Sequence, residues 1–201
     1  SVRCLAFALS CVLAASPSCG LTDPGASGTD DLVFKTESLT AILKLPRGYD
    51  ASKPYPLLVA LHGNGGTAQG LAPWLSPLEA DSFIVAIPQG EYPGPGGGSS
   101  WFYLTQDRTL WEEYDTRSVN HVVELAAALG ARHQVGKVFV LGFSQGASLA
   151  YMAGLRNPSR ISGVLAIGGV LPEIDRPGSI VHAHHVADAR SLSVFIARGT
   201  A

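Results

Sequence analysis

Short, nearly continuous apolar runs closed by glycine or proline recur along this chain, at residues 56–61, 83–87, 137–141, 163–167 and 192–197. A strand with one wet face alternates polar and apolar residues; these runs do not, so they fit parallel strands covered on both faces. Leu39, Ala41, Leu43 and Leu45 do alternate with more polar neighbours, and predict a half-buried strand that Pro46-Arg47-Gly48 ends. Helical patterns lie between the runs. Val119, Val122, Val123, Ala126 and Leu129 keep the i, i+3, i+4 spacing, with Gly130 as the expected stop. A second helix is expected from Gln145 to about Arg156, ended by Asn157-Pro158. Strands that alternate with helices make the expected fold class α/β, a doubly wound, mainly parallel sheet. Residues 92–100, rich in glycine and proline, read as a surface loop.

A content of 46% hydrophobic and 15% charged residues supports one globular domain over residues 31–201, with an ample core. The net charge is −2 and no run of Lys or Arg could neutralise successive phosphates, so nucleic acid is not an expected partner. Cys4, Cys11 and Cys19 all fall in the first nineteen residues. The body is therefore free of cysteine, with neither a disulfide framework nor a cysteine metal site to expect.

Residues 1–18 carry Arg3, then the apolar stretch 5–15, then small residues, which is the layout of a secretory signal. The stretch is too short to span a bilayer as a stable helix. Residues 19–30 read as a linker, and the expected location is exported, periplasmic or extracellular. Cleavage just before Cys19 would leave a lipid anchor there, although Ser16-Pro17-Ser18 matches a lipoprotein cleavage box poorly. The first residue is Ser rather than Met, so the expected natural chain starts further upstream.

Gly142-Phe143-Ser144-Gln145-Gly146 follows an apolar strand and precedes a helix, the context of a G-x-S-x-G nucleophile elbow. Such a turn lifts the Ser144 hydroxyl above the sheet edge and aims the helix N-terminus at an oxyanion. The bare pattern is only suggestive, since an ordinary strand–helix turn rich in small residues matches it too. Its position gives it weight, and so does Leu61-His62-Gly63-Asn64-Gly65-Gly66, which also ends an apolar strand. That segment sits where an HGGG-type loop offers the second oxyanion-hole N–H. The expected donors are the backbone N–H groups of Asn64 and Gln145. A P-loop is excluded, because no Gly-Lys-Ser/Thr follows. His62 is expected to hold its loop through a ring hydrogen bond rather than to act as the base.

Together with Ser100-Trp101-Phe102, these motifs resemble the carboxylesterase/phospholipase family of α/β-hydrolases, which includes acyl-protein thioesterases; the similarity covers about residues 39–201. The resemblance implies an α/β-hydrolase fold, Ser144 as nucleophile, Asn64 and Gln145 as oxyanion-hole residues, and Trp101 near the acyl pocket. It also implies a triad in the order Ser, Asp, His, with the acid just after the strand at 192–197. The family reads Gly-Thr-x-Asp there, and Gly199-Thr200-Ala201 are the final residues. The acid and the His are accordingly expected beyond Ala201, with the last strand and helix missing and the fragment itself inactive.

Glu173 and Asp175 follow the preceding strand, from which some hydrolases supply the acid, but they are not the expected choice. His182, His184 and His185 lack the spacing of three ligands on one helix face, and are expected on a solvated helix or loop. No metal or organic cofactor is expected. The leading expectation is a secreted serine hydrolase that cleaves a small or polymeric ester through an acyl-enzyme on Ser144. A thioesterase, a peptidase or a polyester depolymerase is compatible with the same machinery, and a non-catalytic binding module on the fold is the rival. Oligomeric state is not legible.

Overall fold

The computed structural model describes residues 32–35, 40–75, 82–103 and 107–199. The expected signal and linker, with Cys19, lie outside the described residues. In chain order the elements are β1 (Leu32–Lys35), β2 (Thr40–Lys44), β3 (Tyr55–Leu61), α1 (Ala68–Leu75), β4 (Ile84–Pro88), β5 (Tyr92–Pro93), β6 (Ser99–Ser100), α2 (Trp111–Gly130), β7 (Val135–Phe143), α3 (Gln145–Arg156), β8 (Gly163–Ile167), α4 (Ala183–Asp188) and β9 (Ser193–Ala197).

Seven strands form one sheet in the order β1-β2-β4-β3-β7-β8-β9. β1 and β2 are antiparallel to their neighbours, and β4, β3, β7, β8 and β9 run parallel to one another. Because side chains alternate across a strand, β3 divides its apolar residues between two cores. Leu57, Val59 and Leu61 join Val122, Leu125 and Leu129 of α2 and Leu149 and Ala153 of α3. Leu58 and Ala60 join Val85 and Ile87 of β4 and Ala68, Ala72 and Leu75 of α1 on the other face. The continuous apolar run thus arises because both faces are covered. Each fully buried aliphatic side chain contributes about 1.5–3 kcal/mol.

The expected strands form within two residues of the predicted limits and α3 spans Gln145–Arg156, while α2 begins at Trp111, eight residues before the pattern that starts at Val119. One detail differs. Gly130 does not end α2 in a left-handed turn; it is the last helical residue, and Ala131 in right-handed conformation caps the helix through its N–H to the Ala127 carbonyl.

Residues 92–100 also differ from expectation. They form the β5–β6 hairpin, in which the Gly94 N–H donates to the Gly98 carbonyl at 2.8 Å. A segment of glycine, proline and serine carries no apolar alternation, so its pairing leaves no sequence signal. At the far edge of the described sheet, Val194, Phe195 and Ile196 of β9 are exposed.

Candidate active site

β7 runs into α3 through Ser144, whose backbone stands at φ 54 and ψ −116. That conformation costs a non-glycine residue about 1–3 kcal/mol, so the surroundings must hold it. The Ser144 N–H donates to the Ile167 carbonyl of β8 at 2.8 Å, and the Ser144 carbonyl accepts the Ala147 N–H at 3.0 Å. Neither Gly142 nor Gly146 has positive φ; close approach is what requires glycine at both. A Cβ on Gly142 would run into the Gly146 carbonyl. One on Gly146 would lie 2.5 Å from the carbonyl oxygens of Leu61 and His62. The pattern therefore lets β7, α3 and the end of β3 meet at Ser144.

The loop after β3 passes over this turn. A Cβ on Gly63 would sit 3.3 Å from Ser144 Cβ. Among the described residues, no group accepts the backbone N–H of Asn64 or of Gln145 in a hydrogen bond. Gln145 opens α3, where the first N–H groups have no partner in the helix and the helix dipole is positive. Two free N–H donors on segments that meet at Ser144 are suited to bind an oxygen carrying negative charge.

Side chains fasten the loop. His62 Nε2 accepts the Gly90 N–H at 3.0 Å, so the ring proton resides on Nδ1, which donates to the Gly63 carbonyl at 2.8 Å. Burial lowers the His62 pKa and keeps the ring neutral. Asn64 Oδ1 accepts the Ser100 hydroxyl, while the Gly65 N–H donates to the Ser99 carbonyl and the Ser99 N–H to the Gly66 carbonyl, each at 2.9 Å. Gln145 spans the gap to the next segment: its Oε1 accepts the Trp101 N–H at 2.9 Å and its Nε2 donates to the Phe102 carbonyl at 2.8 Å.

Trp101 does not line the cavity described below. It is 2% exposed, its Nε1 donates to the His62 carbonyl at 2.8 Å, and its ring stacks on the His62 imidazole. An indole with its polar atom satisfied inside the core is a packing anchor, a different role from the place near the acyl pocket that the resemblance implies. The aromatic side chains that do face open space are its neighbours Phe102 and Tyr103.

They line a cavity of about 420 Å³ together with Tyr114 and Asp115 of α2, Ser148 of α3 and Val170 after β8. Ser148 lies one helical turn beyond Ser144. Its hydroxyl donates to the Val170 carbonyl at 2.9 Å, which ties the far wall to α3. Phe102 belongs to the Ser100-Trp101-Phe102 motif that the sequence offers, whereas Tyr103, Asp115 and Ser148 carry no such mark; only the i+4 offset of Ser148 from Ser144 points to the wall.

No histidine or carboxylate among the described residues hydrogen-bonds Ser144 Oγ. Glu173 is bridged by Arg108 at 3.9 Å and Arg176 at 3.7 Å, and Asp175 meets His182 Nδ1 at 3.2 Å. His182 caps α4, on which the His184 and His185 rings meet at a tilt, with centroids 4.0 Å apart. Among the described residues no group of three or more His, Cys, Asp or Glu side chains could hold a metal ion.

The twisted, mainly parallel sheet with helices on both faces and a strained serine between β7 and α3 defines an α/β-hydrolase. A sequence model of the phospholipase/carboxylesterase family matches residues 49–195, and the chain belongs to that family. No curated protein matches it. Among solved structures it is similar to the esterase PE8, with a TM-score of 0.57 and 20% identity over 81% of this chain and 90% of that one. A phospholipase/carboxylesterase from Dyadobacter fermentans aligns at TM-score 0.54 and 20% identity, covering 84% of this chain and 91% of the other. A ferulic acid esterase from Anaeromyces mucronatus aligns at TM-score 0.56 and 15% identity, covering 92% and 89%. These likenesses show the fold.

Proposed function

We propose that the protein is a serine hydrolase that cleaves carboxylic esters through an acyl-enzyme on Ser144. The observation that carries this reading is the positive-φ serine with Gly63 packed on it and the N–H groups of Asn64 and Gln145 unused beside it. Ser144 Oγ attacks the ester carbonyl carbon and its proton passes to an imidazole base. The carbonyl oxygen becomes an oxyanion held by the two N–H groups. Collapse of the tetrahedral intermediate expels the alcohol, which takes the proton from the imidazolium. Water then repeats the sequence on the acyl-enzyme and releases the acid.

The imidazole and its acid partner are not drawn from the described residues. We assign the acid to the turn that follows β9 and the histidine to a later loop. The Gly168 N–H donates to the Ala197 carbonyl at 2.8 Å, so the end of β9 lies beside the end of β8, whose Ile167 carbonyl binds Ser144. An acid on that turn would share the sheet edge with the nucleophile. The second reading is a binding module on the same fold, which would keep the pocket without the triad.

A fluorophosphonate probe on the full-length protein separates the two. Covalent label on Ser144, together with turnover of p-nitrophenyl esters of short acyl chains, supports the hydrolase. Absence of label, or label elsewhere, supports the module or refutes the site. We further propose that residues 1–18 direct export, with Cys19 as the alternative lipid anchor. Mass measurement of the mature N-terminus of the full-length gene product in a bacterial host tests it: an unprocessed cytosolic product counts against export, and a lipid adduct on Cys19 selects the anchored form.

A further inference from the structure

The cavity that Ser148 lines, one helical turn along α3 from Ser144, holds two carboxyl groups in opposite circumstances. Glu173 is exposed and bridged by Arg108 and Arg176. Asp115 projects from α2 into the same cavity, and among the described residues no side chain or backbone group pairs with it. The remaining wall is apolar or aromatic: Phe102, Tyr103, Trp111, Tyr114 and Met152 surround the space. Tyr103 and Tyr114 meet edge to face at 5.6 Å, and Tyr92 of β5 closes on both at 4.8 and 5.2 Å, so this wall is a fixed aromatic surface. The rim continues it with exposed Val170 and Leu171.

A polar group held in apolar surroundings without a partner is costly, and a folded chain retains such a group most readily where a ligand completes it. We propose that Asp115 is a specificity-determining residue, which hydrogen-bonds a hydroxyl group on a ring that the ester substrate inserts between the aromatic walls. This deepens the ester-hydrolase reading and rests on it.

The dimensions agree, because small-molecule sites occupy roughly 300–1,000 Å³ and are largely apolar with few convergent polar groups. The charge balance selects a neutral hydroxyl over a cation. Besides Asp115, the titratable and charged groups around the cavity are Glu173, Arg176, Arg108, Tyr103 and Tyr114, and the two guanidiniums offset the carboxylates. Burial also pushes the Asp115 carboxyl up to about 7, so near neutrality it is present both protonated and ionised. A hydroxyl partner serves both states, as donor to the carboxylate and as either donor or acceptor to the acid. An ammonium group would require the ionised form alone.

The test uses the full-length protein and methyl 3-phenylpropanoate against its three ring-hydroxyl isomers. We expect kcat/KM for at least one isomer to exceed that of the parent about tenfold, since the half-buried Asp115 carboxyl, set in an apolar wall, gains a hydroxyl partner only from the hydroxylated ester. Asp115→Leu should bring that ratio to within twofold of one, while Asp115→Asn, which keeps an acceptor and a donor, should retain part of it. A thermal melt of each variant verifies folding.

Equilibrium binding of the same esters to Ser144→Ala separates this proposal from the reading of Ser144. An Asp115-dependent preference in binding without turnover by the parent protein would uphold the subsite and sink the nucleophile. Turnover with equal rates for all four esters, the same preference in Asp115→Leu, or neither binding nor turnover would overturn the subsite.

Discussion

Trp101 donates its indole N–H to the His62 carbonyl at 2.8 Å while its ring stacks on the imidazole of that same residue, with centroids 4.8 Å apart. One side chain thus fixes both the backbone and the ring of the residue before Gly63 and Asn64. The Trp101 N–H in turn is held by Gln145 Oε1 at 2.9 Å. Both proposed oxyanion-hole residues are therefore tied to the segment at 100–102, Asn64 through the Ser100 hydroxyl and Gln145 through its amide. Preorganised donors owe their effect to being immobile before charge develops.

It follows that Trp101→Phe should lower kcat far more than it raises KM. The substitution fills most of the space but leaves the buried His62 carbonyl unpaired, at about 1–3 kcal/mol of stability. We expect kcat for a p-nitrophenyl ester to fall about tenfold or more in a protein that still melts cooperatively. A KM effect with unchanged kcat would return Trp101 to the substrate pocket.

Ser144 makes a second prediction because its backbone is strained. Glycine adopts φ 54 without the penalty, whereas alanine does not. Ser144→Gly should be more stable than Ser144→Ala by about 1–3 kcal/mol in denaturant melts. Both should lose at least about three orders of magnitude of esterase rate, since nucleophile and base act as a unit. Equal stability of the two variants would show that the elbow carries no strain.

Gly146→Ala tests the close approach of α3 to β3. Its new methyl would meet backbone carbonyls of Leu61 and His62 at 2.5 Å, and backbone cannot swing aside as a side chain can. We expect a loss of soluble, cooperatively folded protein, judged by circular dichroism and melting. Gly130→Ala, on open space at the end of α2, serves as the control and should be neutral or slightly stabilising.

What was legible beforehand follows the physics of each signal. Parallel strands covered on both faces announce themselves as apolar runs, so residues 56–61 and 163–167 were read as β3 and β8. The elbow and the His62–Gly66 loop were legible because close backbone approach demands glycine, which the alphabet displays openly. The cavity was not. Phe102, Asp115, Ser148 and Val170 come from four separate segments, and only tertiary packing brings them to one wall. Trp101 is ambiguous for a related reason: an aromatic in a glycine-rich loop has the same sequence signature whether it turns to a ligand or to the core, and here its Nε1 bonds the His62 carbonyl inside the core.

The last prediction concerns pH and the unpaired carboxyl. Desolvation raises Asp115 to about 7, against an ordinary value of 3.8. Between these values the native protein keeps a proton that the unfolded chain has lost, so folding stability falls as pH rises through that window. Below about pH 4 both states are protonated and the group contributes no pH dependence; above about 7 both are ionised and the penalty is constant. Asp115→Asn removes the titration while keeping size and polarity. The variant should therefore melt close to the parent protein at pH 4, and should be more stable at pH 8 by on the order of 2–4 kcal/mol. Thermal melts of both proteins at half-unit steps from pH 4 to pH 8 measure the difference. A constant gap across the series would show that Asp115 titrates as an ordinary carboxyl, with water or a partner already satisfying it.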